Sequence, residues 1–392
     1  MLLPKNKVKI LLDNQEYFSC NSITCSISLN EGLFIRNAIV DCKMPYYTYV
    51  RFATDMTNKQ VLLASIFIED KLFLEGFLTL KVITTSISQD GMTVNFAVND
   101  RFYPLLHSDV IKVLFFKSHS NLQLLLATIL WELGYMNYEN YPRKITDARD
   151  FIKNGLGVKT IPLTKNVVKY ATHEKAITII QEITSIYKVV LNSNGSDTIF
   201  VEKYNSYTEP VYEINLKFDK NGNFLQNSNV SNAQKVGANN TDNNDASRIV
   251  IVNPSVNRKK PKIKDKHTSL VVNYQKGLPN MQIVRSINRE VDYEGLRDGV
   301  NQSLLGLNTV ANSYVYQFSN RIFDKNGDFF TPNRLIYVKD EAHLIDGKMS
   351  IMACSFSIDA ENGSMTTLNV CFEENLGDNI NNKRKVSTIK SR

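Results

Sequence analysis

His107, His119, His173, His267 and His343 are the side chains best suited to hold a metal or move a proton near neutral pH. Their spacing favours neither role. None stands in an HxxxH, HxH or HExxH arrangement, the spacings that bring two imidazoles to one ion. The five cysteines, Cys20, Cys25, Cys42, Cys354 and Cys371, include no CxxC pair. Three of them stand in alternating apolar runs, where a free thiol behaves as a small hydrophobe. A disulfide framework or a zinc site is therefore not expected, and folding in a reducing compartment is. No GxSxG elbow, P-loop or GxGxxG follows a strand-like run. Glu31, Glu69, Asp70 and Glu75 are the acids from which a carboxylate pair for glycoside cleavage could be drawn, yet they merely border strands, and spacing shows no convergence. The expectation is a non-enzymatic chain with no cofactor and no metal.

Binding chemistry is the other class to weigh. The formal net charge of +7 is concentrated in Asn257 to His267, which holds Lys259, Lys260, Lys262 and Lys264, and in the tail from Asn381 to Arg392. These four lysines are the candidate anionic contact, against the ordinary reading of a solvated basic loop. Tyr46, Tyr47 and Tyr49 beside Arg51 come nearest to the interleaved aromatics and cations of a single-strand nucleic-acid groove. On strand edges, tyrosines serve packing or interfaces more often.

The elements that would position such residues are mostly strands. Ile23, Cys25, Ile27 and Leu29 alternate with Thr24, Ser26 and Ser28, the period-two mark of a half-buried strand. Further strand-like runs follow at Val61–Asp70, Lys71–Ser88 and Met92–Asp100, with a turn signal at Gln89-Asp90-Gly91. Leucines and isoleucines from Leu122 to Leu133 recur at helical spacing between Ser120 as N-cap and Gly134 as C-cap. A second helix is expected near Thr172 to Tyr187, then a hairpin about Asn194-Gly195. Asn221 to Asp245 is so rich in Asn, Gly, Ser, Gln and Asp that a long loop is expected. A third helix fits Tyr293 to Leu307 despite two glycines. The end is strand-rich, with Met352, Cys354, Phe356 and Ile358 on one face.

A chain of 392 residues exceeds one compact core. The fold class expected is α+β and β-rich, with two small β-barrel domains and an α+β module between them. The first barrel or sandwich is placed at 1–110 and the module at 111–205. A connecting segment at 206–290 carries the polar insert 221–267. A helix and the second barrel occupy 291–380, and a basic tail 381–392. No apolar run is long enough to cross a bilayer, and the apolar stretch within MLLPKNKVKILLDNQEY is too short for a signal peptide, so no membrane insertion is expected.

The order of these elements resembles the baseplate hub proteins of contractile-tailed bacteriophages. The likeness is to the Mu-like tail protein family, related to late-control tail proteins and to the hub part of type VI secretion spike proteins. VKILLDNQEY followed by SITCSISLN resembles the family's opening hairpin. Asp100-Arg101, followed by Leu105 and Leu106, resembles the close of its first domain. HEKAITIIQEITSIYKVVLNSNGSDTIFVEK is similar to its helix and hairpin, and GDFFTPNRLIYVKDEAHLIDGKMSIMACSFSIDAENGSMTTLNV to its C-terminal barrel. The family's usual tryptophan-like corner position is held here by Phe329 or Phe330.

The resemblance implies a homotrimeric structural hub that joins a hexameric tail tube to a trimeric central spike, with a channel for DNA or other cargo. It implies residence in a virion or tail-like particle assembled in the bacterial cytoplasm. The alternatives are a tail-tip peptidoglycan hydrolase and a nucleic-acid-binding module. Phe329, Phe330, Pro332 and Asn333 are the candidate subunit-interface or barrel-corner residues. Pro332 fixes its φ and lacks an N–H, and Asn333 suits a turn, so the chain enters the next strand at a set angle.

Overall fold

A computed structural model describes residues 8–12, 15–16, 22–30, 33–59, 61–79, 84–88, 91–110, 114–115, 121–133, 152–156, 158–162, 169–170, 175–187, 189–203, 207–225, 228–236, 246–252, 269–273, 278–286, 313–359, 363–372 and 386–389. The helix read at Tyr293–Leu307 lies outside these residues, as do Ser120 and Gly134.

The first strands are β1 (Val8–Leu12), β2 (Gln15–Glu16), β3 (Ser22–Asn30) and β4 (Leu33–Met44). After helix α1 (Tyr46–Lys59) come β5 (Val61–Ile68), β6 (Lys71–Thr79), β7 (Thr84–Ser88) and β8 (Gly91–Asp100). Alternation works as expected in β3, where Ile23, Cys25 and Ile27 are buried and Thr24 is exposed. All nine residues of β3 pair antiparallel with β4, and β4 pairs with β8.

Tyr46, Tyr47 and Tyr49 lie on α1 and not on a strand edge. Pro45 opens the helix by accepting the Tyr49 N–H, and Phe52 is the buried anchor, its ring 5.9 Å from that of Phe96. The aromatic and β-branched residues of this segment are poor helix formers, so tertiary anchoring outweighs local propensity.

The middle of the chain contributes β9 (Leu114–Phe115), α2 (Leu122–Glu132), β10 (Ile152–Asn154), β11 (Lys169–Tyr170), α3 (Ala176–Tyr187), β12 (Val189–Ser193) and β13 (Ile199–Lys203). Asn121 caps α2, its Oδ1 accepting the Leu124 N–H at 2.8 Å. A second core forms here from Leu122, Leu125, Leu126, Ile129 and Leu130 of α2 and Ile179 and Ile180 of α3, against Val189, Leu191, Ile199 and Val201. β4 serves both cores. Leu33 and Ile35 face the helices, while Phe34, Ala38 and Val40 face the main sheet core.

The later strands are β14 (Tyr212–Leu216), β15 (Asn232–Val236), β16 (Ala246–Val252), β17 (Ser269–Asn273), β18 (Leu278–Ser286), β19 (Ser313–Ser319), β20 (Leu335–Asp340), β21 (Ile345–Asp359), β22 (Gly363–Phe372) and β23 (Val386–Ile389). β15 lies inside the segment read as a long loop, where it pairs with β19. β16, β17, β18 and β23 form a separate four-stranded sheet.

β21 pairs with β20, β22 and β3, placing Ile27 opposite Cys354 and Ser22 opposite Asp359. That ladder ties the first strands to the last, and one buried cluster spans both sets. A bulge between Ile351 and Ala353 switches the inward face of β21. Met349 and Ile351 point inward before it and Cys354, Phe356 and Ile358 after it, so Met352 leaves the face on which its spacing had placed it.

The molecule is β-rich with few helices, an α+β class. The expected pair of barrels does not appear as closed ladders among the described residues. β14 and β15 approach one another but are linked by the Asn229 N–H to the Asn215 carbonyl at 3.1 Å and by Asn229 side-chain bonds, not by a ladder.

Candidate functional site

Most of the predicted corner residues are drawn into the chain's own interior. Adjacent residues of an extended segment point to opposite sides. Phe329 turns toward the first sheet, its ring edge-on to Phe73 at 5.3 Å, while Phe330 turns the other way against Tyr212 at 5.5 Å and Phe318 at 5.6 Å. Pro332 is buried, and Asn333 follows at φ 63°, a left-handed conformation that asparagine tolerates.

Asn333 is 3% exposed, and its Nδ2 donates to Glu202 Oε2 at 3.2 Å and to the Lys203 carbonyl at 3.0 Å. Glu202, on β13, also accepts the Tyr207 hydroxyl at 3.0 Å and pairs with Arg334 at 3.4 Å. The Arg334 guanidinium lies 3.4 Å from the centroid of the Tyr207 ring. Burial, and then Glu202, push the Tyr207 hydroxyl up to about 12. The corner thus ties β13 to the last strands through a polar cluster whose centre, Asn333 to Glu202, is buried and has little water to compete for it.

A second buried polar group lies where β4, β6 and β8 meet the β12–β13 hairpin. Asp100 is fully buried and accepts the Phe102 N–H at 2.9 Å and the Arg36 N–H at 3.2 Å. Burial raises its carboxyl above the usual range, and hydrogen bonds from Phe102, Ser193 and Arg36 oppose that rise. Arg36 donates from Nη1 to the Phe73 carbonyl at 2.8 Å and sits over the Phe73 ring. Arg101 Nη2 lies 2.7 Å from Glu75 Oε1, and Glu75 accepts the Ser196 hydroxyl at 2.7 Å. Gly195 completes the hairpin at φ 79°, where a Cβ would stand 2.4 Å from the Phe73 carbonyl oxygen. Only glycine fits that approach.

Between these two polar groups opens a cleft of about 800 Å³. Arg36, Lys71, Lys325, Arg334, Glu209, Asp324 and Asp328 supply its charge, and Leu72, Leu156 and Phe329 its apolar wall. Leu156 is 63% exposed there.

The other chemical candidates disperse. Lys259, Lys260, Lys262 and Lys264 lie outside the described residues, as do Glu31, His119, His173 and His267. Glu69 and Asp70 form the β5–β6 turn, and Glu75 pairs with Arg101. His343 Nδ1 meets Asp340 at 2.7 Å, and the same carboxylate oxygen accepts the Tyr316 hydroxyl at 2.8 Å, tying the β20–β21 turn. Among the described residues no three His, Cys, Asp or Glu side chains are placed to hold a metal, and no helix is long and apolar enough to cross a membrane.

Cys25, Cys42, Cys354 and Cys371 are buried as thiols. Burial pushes the Cys371 thiol up to about 12 and that of Cys354 higher still, so neither supplies thiolate at neutral pH. Native protein treated with a maleimide at pH 7 is therefore expected to take label at Cys20 or nowhere, while denatured protein takes it at all five cysteines. Intact-mass measurement of both samples checks this; rapid native labelling at Cys354 or Cys371 contradicts the burial.

One signal was legible in the sequence and passed over. Phe218–Phe224 reads FDKNGNF and Phe323–Phe329 reads FDKNGDF, and each is followed by another apolar residue, Leu225 or Phe330. Both fold into the same turn. Asp219 Oδ1 accepts the N–H of Asn221 and of Asn223 at 2.8 Å, and Asp324 Oδ1 accepts those of Asn326 at 2.8 Å and Asp328 at 3.0 Å. The flanking phenylalanines bridge in both, with rings 5.3 Å and 4.9 Å apart.

No family model and no curated protein sequence matches the chain. Solved structures do. The 43 kDa tail protein of prophage MuSo2 from Shewanella oneidensis aligns over 95% of this chain and 99% of its own, at 12% identity and a TM-score of 0.67. A tail protein from Neisseria meningitidis MC58 aligns over 94% and 96%, at 10% identity and a TM-score of 0.69. Prophage tail protein gp18 from Listeria monocytogenes EGD-e aligns over 93% and 94%, at 10% identity and a TM-score of 0.50. The fold of this chain is the fold of those tail proteins, in keeping with the resemblance carried by its sequence.

Proposed function

We propose, from a fold shared with prophage tail proteins along nearly the whole chain, that this protein is a structural baseplate hub of a contractile phage tail or tail-like injection particle. In this reading it is a homotrimer that joins the hexameric tail tube to the trimeric central spike around a channel for DNA or cargo. Its place is the assembled particle. The single observation that carries the proposal is the match over 95% of this chain and 99% of the MuSo2 tail protein, which leaves little of either for a different architecture.

The strand edges support self-assembly. Among the described residues β7 and β15 each pair on one side only, with β8 and β19 respectively. An edge of unpaired N–H and C=O groups is a template for another chain unless it is covered. Closed symmetric assembly covers such edges with copies of the same surface. The corner at Phe329, Phe330, Pro332 and Asn333 serves this role indirectly, by holding the last strands against β13 and the first strands. Lys259, Lys260, Lys262 and Lys264 are the proposed contact for anionic cargo.

Light scattering of the purified chain tests the proposal. A particle of three 44.6 kDa chains is expected. A monomer at all concentrations, above all one that clears peptidoglycan, overturns it in favour of a tail-tip hydrolase.

A further inference from the structure

The twin hairpins share a sequence and a turn but not a setting. In the second copy Phe329 is 8% exposed and Phe330 is fully buried. There the ammonium of Lys71 donates to the Gly327 carbonyl and lies 5.3 Å from the Phe323 ring centroid. In the first copy the matching residues, Phe224 and Leu225, are 50% and 40% exposed, and no atom stands within 4 Å of where a Cβ on Gly222 would be. The same motif is thus docked once within the chain and once stands clear as an apolar knob.

The cleft described above is the complementary feature, since Leu156 and Leu72 show apolar surface in its wall at 63% and 36% exposure. Knob and cleft cannot meet within one chain. Val211 lines the cleft at the start of β14 and Phe218 begins the knob beyond its end, a separation of roughly 20 Å at about 3.3 Å per residue.

We propose that the Phe218–Phe224 hairpin of one copy seats Phe224 and Leu225 in the cleft of a second copy, against Leu156 and Leu72. Knob and cleft each carry both signs: the hairpin holds Asp219 beside exposed Lys220, and the cleft holds Arg36, Lys71, Lys325 and Arg334 beside Glu209, Asp324 and Asp328. A contact between two different patches of identical chains is head-to-tail, and it closes into a ring when the rotation per step divides the circle. The contact rests on the self-assembly in the proposed function and specifies which surfaces make it.

Phe224→Asp and Leu156→Asp each place a charge at an exposed position, so both variants are expected to keep the wild-type circular dichroism spectrum. Light scattering is expected to show each falling from the wild-type oligomer to monomer. In parallel, Phe224→Cys chains mixed with Leu156→Cys chains are expected to yield a disulfide-linked dimer absent from either variant alone. An oligomer that survives both aspartates, with no cross-link in the mixture, overturns this contact and leaves the trimer standing. A wild-type chain that never associates overturns both.

Discussion

Asp100→Ala is expected to lower folding stability by about 2–5 kcal/mol, the cost of leaving two buried backbone donors without their acceptor. The carboxylate is fully buried and satisfies two backbone N–H groups, those of Arg36 and Phe102. Alanine leaves those donors without their acceptor and leaves the Arg36 guanidinium, 8% exposed as a residue, with less compensating charge. Each orphaned donor alone costs about 1–3 kcal/mol. Asp100→Asn keeps one acceptor oxygen but turns its amide NH2 toward the other backbone donor, so it is expected to recover only part of the loss. Urea unfolding of the three proteins, followed by circular dichroism, measures the difference. An alanine variant within about 1 kcal/mol of wild type would show that the polar group is not what joins β4 to β8 and the β12–β13 hairpin.

Phe330→Ala is expected to cost a similar amount, about 3–5 kcal/mol, for a different reason. The ring has no exposed surface and packs edge-on to both Tyr212 and Phe318, so its removal forfeits transfer energy and opens a cavity between β14 and β19. Phe330→Leu fills most of that space and is expected to cost less than half as much. Phe224→Ala, in the twin hairpin at the position matching Phe329, is the internal control, with little effect on the isolated chain's stability because Phe224 is half exposed. The urea midpoints of these three variants are the measurement, and equal losses at Phe330 and Phe224 would contradict the burial contrast between the two hairpins.

The parts of the fold that were legible in sequence are those with a local signature. Alternation gave β3, helical spacing gave α2 and α3, and Asn194-Gly195 gave the β12–β13 hairpin. What stayed hidden depends on partners far away in the chain. Nothing in SITCSISLN states that its open edge is covered by Cys354–Asp359, because a ladder uses backbone groups that every residue carries. The Met352 bulge was invisible for the same reason: two-residue spacing continues through it while the backbone does not. Helix α1 was hidden because Tyr, Thr and Val favour strands, and only the packing of Phe52 reverses the preference.

Much the same holds for the site. The FTPN corner could be read as architectural from Pro332 and Asn333, but its clamp on Glu202 could not, since β13 gives no sign of its destination. The duplicated heptapeptide was readable at once by comparing the chain with itself, and its meaning lies in the contrast between a covered and an uncovered copy.

The ladder that sets Ile27 opposite Cys354 also bears on biosynthesis. A ribosome releases β3 and its neighbour β4 long before β21, so for that interval the nascent polypeptide displays one strand edge whose partner has not yet been made. Closing so distant a pairing is slow compared with local hairpins. The main sheet therefore closes only after β21 has emerged, later than the local hairpins on either side of it.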